Sequence, residues 1–158
     1  MKLSEKLLKK LVDDPPPGRH LVTVSDEASL GWSATLTVDR ADVVGCVIWE
    51  LAVQCRAAEA WDANALTARS QRIGQSVTGL LEPLKLIEVD ALRREALLRS
   101  DAPMQRGGDL FYYEAKLQPH NSISLRRFRA SHDAGKREQV PFTLTHEAIA
   151  KLVDDTTV

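Results

Sequence analysis

The apolar residues change period after Pro83, and no other feature restricts the fold of this chain as much. From Leu84 to Val89 (LKLIEV), Glu95 to Arg99 (EALLR), Leu110 to Leu117 (LFYYEAKL) and Ile123 to Phe128 (ISLRRF), apolar and polar side chains tend toward a repeat of two. That repeat places alternate residues on opposite faces of a strand. The third segment is the clearest, with Phe111, Tyr113, Ala115 and Leu117 on one side and Tyr112, Glu114 and Lys116 on the other. The breaks at Asp90 to Arg93, Pro103 to Gly108 and Pro119 to Asn121 are turn-rich and too short for parallel crossovers, so the four segments predict an antiparallel meander.

Ahead of Pro83 the periods are mixed. Leu3, Leu7, Leu8, Leu11 and Val12 follow helical spacing, and Pro15, Pro16 and Pro17 stop that helix. His20 to Ser25 and Trp32 to Val38 alternate around a turn and predict a hairpin. Asp39 offers a cap for a helix to about Glu59, with Val43, Val44, Val47, Ile48, Leu51 and Cys55 on one face and Cys46, Trp49 and Val53 on the other. Asp62 or Asn64 caps a second helix running toward Pro83, in which Gly74 and Gly79 would let another backbone come close. After Val140 to Leu144, Thr145 caps a closing helix to Val153; its KLVDD ending echoes the first helix, as short amphipathic helices do.

The expected architecture is α+β: an antiparallel sheet made of an N-terminal hairpin and a C-terminal four-strand meander, two central helices packed on one face, and short helices at both termini. A chain of 158 residues suits a single domain, 1–158, with an amphipathic helix over 1–14, a proline-rich linker over 15–19 and an α+β body over 20–158. No run of about 20 apolar residues is present, so no membrane span is expected, and the lysine-rich amino terminus does not read as a secretory signal. The expected compartment is the cytoplasm.

No catalytic signature accompanies this fold. His20, His120, His132 and His146 are scattered without metal-ligand spacing, so neither a metal nor another cofactor is expected. No nucleophile elbow occurs, and Gly107-Gly108 lacks the following lysine and serine of a phosphate loop, so it reads as a turn. Cys46 and Cys55 would point to opposite sides of the expected helix.

The one local bias is basic. Lys116, Arg126, Arg127, Arg129, Lys136 and Arg137 stand against Asp133 alone between 116 and 137, in a chain of net charge −1. With Tyr112 nearby, they supply the cations and the ring of a single-strand nucleic-acid platform, but charged guards of a sheet edge would look the same. The pieces LRRFR, GKR and PFTLTHEAIAKL resemble the end of the positive cofactor four family of single-stranded DNA-binding proteins, over about a fifth of the chain. That resemblance implies nucleic-acid binding through Arg126, Arg127, Arg129, Lys136 and Arg137. The sequence departs from the family where its helix carries an aromatic, having Ala148-Ile149 there, and over residues 1–90, where nothing matches.

Without a catalytic motif, the favoured reading is a non-enzymatic interaction or regulatory domain that associates with itself as a homodimer, or with another protein. Nucleic-acid binding through 116–137 is the first alternative. A small-molecule or enzymatic pocket between helices and sheet is the second.

Overall fold

The structure is a computed structural model that describes residues 1–13, 17–26, 31–56, 62–119, 121–131 and 135–157. The expected linker prolines Pro15 and Pro16, His120 and His132 lie outside the described residues. Among the described residues three helices and ten strands follow one another: α1 (Leu3–Val12), β1 (His20–Ser25), β2 (Trp32–Ala41), β3 (Gly45–Cys55), α2 (Ala63–Ser76), β4 (Leu84–Asp90), β5 (Glu95–Ser100), β6 (Met104–Arg106), β7 (Asp109–Gln118), β8 (Ser122–Ser131), β9 (Arg137–Val140), β10 (Phe142–Thr145) and α3 (His146–Thr156). All ten strands belong to one sheet, and its pairings are antiparallel, along the order β1-β2-β3-β8-β7-β5-β4.

This corrects the expected layout. Among the described residues only α2 lies between strands as a helix; the segment expected to be helical from Asp39 to about Glu59 forms, as far as Cys55, the end of β2 and the whole of β3, and its residues 57–59 lie outside the described residues. β3 is a strand the expectation lacked, and it joins the hairpin to the later strands through β8. The physical reason is a β-bulge. Val38 pairs with Ile48 but Thr37 with Glu50, leaving Trp49 as the extra residue. Cys46 and Ile48 before the bulge, and Leu51, Val53 and Cys55 after it, are all buried. The slip turns a two-residue alternation into the spacing 48, 51, 55, which matches a helix template. The β-branched content of the segment suits a central strand.

At Trp49 the sheet also forks. β3 pairs with β8 only over Leu51–Val53; toward its start it takes β10, while β8 takes β9. Gln139 Nε2 donates to the Trp49 carbonyl at 2.8 Å across the fork, satisfying a group that the ladder leaves open.

α2 is capped as expected, with Asp62 Oδ1 accepting from the Ala65 amide at 2.8 Å, but it stops at Ser76, and residues 77–83 run as an irregular strap to β4. The backbone that approaches Gly74 belongs to the same chain: a Cβ there would stand 3.3 Å from the Leu84 carbonyl oxygen. Thr145 caps α3, its hydroxyl accepting from the Ala148 amide at 3.1 Å. Gly107 and Gly108, both at positive φ, make the two-residue turn between β6 and β7.

The helices bury their apolar stripes on one face of the sheet. Leu7 of α1, Leu66 and Ile73 of α2, and Ile149, Leu152 and Val153 of α3 join Leu36, Ile48, Leu98, Ala115, Leu117 and Leu125 in one hydrophobic cluster. Full burial of a side chain of this kind contributes about 1.5–3 kcal/mol, so this layer supplies most of what holds helices to sheet. Alternation sends the remaining strand residues to the opposite face, which none of the three described helices covers.

Candidate functional site

The basic segment divides between the two faces. β8 directs Ile123, Leu125 and Arg127 into the helix side and Arg126 and Phe128 to the open side. There the register aligns Glu50, Arg126, Glu114 and Arg99 across β3, β8, β7 and β5. Arg126 Nε meets Glu50 Oε2 at 2.5 Å and Arg99 Nε meets Glu114 Oε2 at 3.0 Å. Arg137 reaches over from β9, places its guanidinium 3.9 Å from the centroid of the Phe128 ring, and donates to Glu114 Oε2 at 2.5 Å and to the Tyr112 hydroxyl at 3.4 Å. Burial pushes the Glu114 carboxyl up, but the hydrogen bonds from Arg137 and Arg99 outweigh it and hold the group below its ordinary value. The hydrogen bond to Glu114 raises Arg137 in turn.

Of the six expected binding residues, Tyr112, Arg126 and Arg137 therefore meet on the open face. Arg129 pairs with Glu138 of β9, and Lys136 is exposed just ahead of β9. Arg127 is buried: its side chain is 5% exposed and that of its partner Glu82 is 8% exposed, with Nη1 3.0 Å from Glu82 Oε1. Ser100 Oγ donates to the same carboxylate at 3.1 Å and accepts from the Tyr113 amide at 2.7 Å, while the Arg127 guanidinium lies 4.2 Å from the Tyr113 ring centroid. This network pins the strap 77–83 onto β5, β7 and β8. The carboxylates that neutralise the arginines come from Glu50, Glu82, Glu114 and Glu138. Only Glu114 stands inside a strand of the predicted meander, and a linear count of 116–137 takes in none of the four.

Between helices and sheet, Leu51, Val53, Ile73, Val77, Leu84, Ala115, Ile123, Leu125, Leu152 and Thr156 line a void of about 20 Å³. Ligand pockets enclose several hundred Å³ and set a few polar groups toward one point. This void has neither property. Among the described residues no group of three or more metal-ligating side chains occurs. Cys46 and Cys55 are free and buried, and burial pushes the Cys46 thiol up to about 11, away from a reactive thiolate.

A helix meets each end of the sheet, α1 at β1 and α2 at β4, where Gly74 stands against the Leu84 carbonyl. At the β1 end, α1 lies along the free edge: Lys10 Nζ donates to the Thr23 carbonyl at 2.7 Å and Lys6 Nζ to the Ser25 carbonyl at 3.3 Å. At the β4 end, no strand among the described residues pairs with the outer edge. No family model matches the chain, and no curated protein and no solved structure matches it. Function must therefore be read from these residues. Around β4, whose outer edge no described strand pairs, stand Leu81 (76% exposed), Ile87 (47%) and Leu92 (96%); Leu21 on β1 is 67% exposed. The sequence identified Leu84 to Val89 as a strand but carried no signal that it would be terminal.

Proposed function

We propose that the chain is a non-enzymatic, self-associating interaction domain that works through the open edge at β4. The observation that carries this reading is that β4 from Lys85 to Asp90 has no strand partner on its outer side among the described residues and is flanked by exposed Leu81, Ile87 and Leu92. An unpaired edge offers a row of backbone donors and acceptors to another strand, which is how strand addition recognises a partner. The paired state of the arginines weighs against the nucleic-acid reading: phosphates would have to compete with Glu50, Glu82, Glu114 and Glu138, and a base would have to displace Arg137 from Phe128. We place the domain in the cytoplasm, where two free buried cysteines are at home; no helix is long and apolar enough to cross a membrane.

Site-specific photo-crosslinking in cells tests the reading. A benzoylphenylalanine in place of Ile87 is expected to give a discrete protein adduct, and the same group in place of Thr23 on the capped edge is not. Absence of an adduct from position 87 would remove the open edge as an interaction surface.

A further inference from the structure

We propose that Arg127 positions the strap 77–83 by selecting Glu82 as the residue turned inward, and so presents Leu81 to a second copy of this chain; this rests on the self-association reading above. Hydrophobic burial alone would set the strap the other way. Leu81 is exposed, whereas its neighbour Glu82 is buried. Taking a leucine out of water is favourable, and taking a carboxylate out is unfavourable by more, unless a partner compensates it. The strap therefore breaks the burial rule at two adjacent positions. Local violations of this kind mark sites where position is specified at the expense of stability.

The group that imposes this arrangement is itself fixed. Arg127 stands inside β8, opposite Tyr113 of β7 on one side and Val140 of β9 on the other, and alternation turns its side chain into the helix face. Its guanidinium meets Glu82 with Nη1 3.0 Å from Oε1 and Nη2 3.5 Å from Oε2, and Ser100 Oγ donates to the same Oε1 at 3.1 Å. A buried guanidinium without a carboxylate would be strongly destabilising, so Arg127 requires an acid from the strap. Glu82 is the only acid between 77 and 83.

The other ties of the strap read main chain. Asp101 N donates to the Pro83 carbonyl at 2.8 Å, and the Tyr113 hydroxyl bonds to the Leu81 backbone. Such bonds guide the path of the strap but do not distinguish side chains, because a slip by one residue offers them an equivalent backbone group. That slip would turn Leu81 in and Glu82 out. The ion pair separates the two registers, which is the use of a buried ion pair that reaches beyond stability. It leaves Leu81 in solvent three residues ahead of β4, as an apolar contact of fixed position.

Thiol labelling tests the positioning role. Cys46 and Cys55 are the only cysteines of the chain and both are buried, so in Leu81→Cys the thiol at 81 reacts first. Adding Arg127→Met is expected to slow labelling at 81 about tenfold, as that side chain turns inward, while Cys46 and Cys55 stay protected. Adding Arg127→Lys instead keeps a cation for Glu82 and is expected to leave the rate at 81 unchanged. If Arg127→Met exposes all three thiols it has unfolded, and Glu82→Thr/Arg127→Met, which buries no charge, is read in its place with the same expectation. A rate at 81 that stays the same or rises while the other two thiols remain protected overturns the positioning role. The presentation of Leu81 is tested by sedimentation: Leu81→Ala is expected to raise the dimer dissociation constant about tenfold. Association equal to that of the wild type overturns it. A wild-type monomer overturns the self-association reading and the presentation of Leu81 together, while the labelling result still decides the positioning role.

Discussion

Glu114 is the residue on which the open face depends, because it receives Arg99 from β5 and Arg137 from β9 at once. Its folded-state carboxyl lies below the ordinary value of 4.5, so it contributes stability that is fully present above about pH 4.5 and is lost as the pH falls through the lower folded value. Glu114→Gln is therefore expected to lower stability at pH 7 and to flatten the acid limb of the stability-against-pH curve, measured by urea unfolding from pH 7 to pH 3; an unchanged acid limb would contradict the assignment. At this scale the sequence disclosed residue types but not partners. Arg126, Arg127, Arg129 and Arg137 looked like a free basic run because the carboxylates that neutralise three of them, from Glu50, Glu82 and Glu114, arrive from other elements and Glu138 lies one residue beyond the count. Alternation along β8 turns Arg126 and Arg127 to opposite faces, and Arg126 is exposed while Arg127 is buried.

Elements declared themselves where one face meets helices and the other meets solvent, as in β7, whose Tyr113, Ala115 and Leu117 are buried and Lys116 exposed. β3 did not, since it lies in the middle of the sheet and carries apolar side chains on both sides of a bulge. Gly45 at its start has a role that secondary-structure patterns do not show. A Cβ there would stand 2.3 Å from the Leu144 carbonyl oxygen and 2.9 Å from the Thr145 Cα, so β10 can reach β3, and deliver α3 to the core, only against a residue with no side chain. Gly45→Ala should force the two backbones apart and cost about 2–3 kcal/mol, read as a lower denaturation midpoint. A midpoint equal to that of the wild type would show that the close approach is dispensable.

For the molecule as a whole, strand order is the property that matters and the one that sequence conceals, because it is set by pairings between distant segments. The ten described strands form one sheet whose helix-covered face makes the core, whose opposite face carries its own ion pairs, and whose β4 has no strand partner on its outer side among the described residues. Amide hydrogen exchange at two protein concentrations examines the open edge most directly. Residues 84–90 are expected to become more protected as concentration rises, with residues 20–25 at the capped β1 edge unchanged. Exchange from β4 that is the same at both concentrations, or protection that grows at β1 instead, would contradict the account.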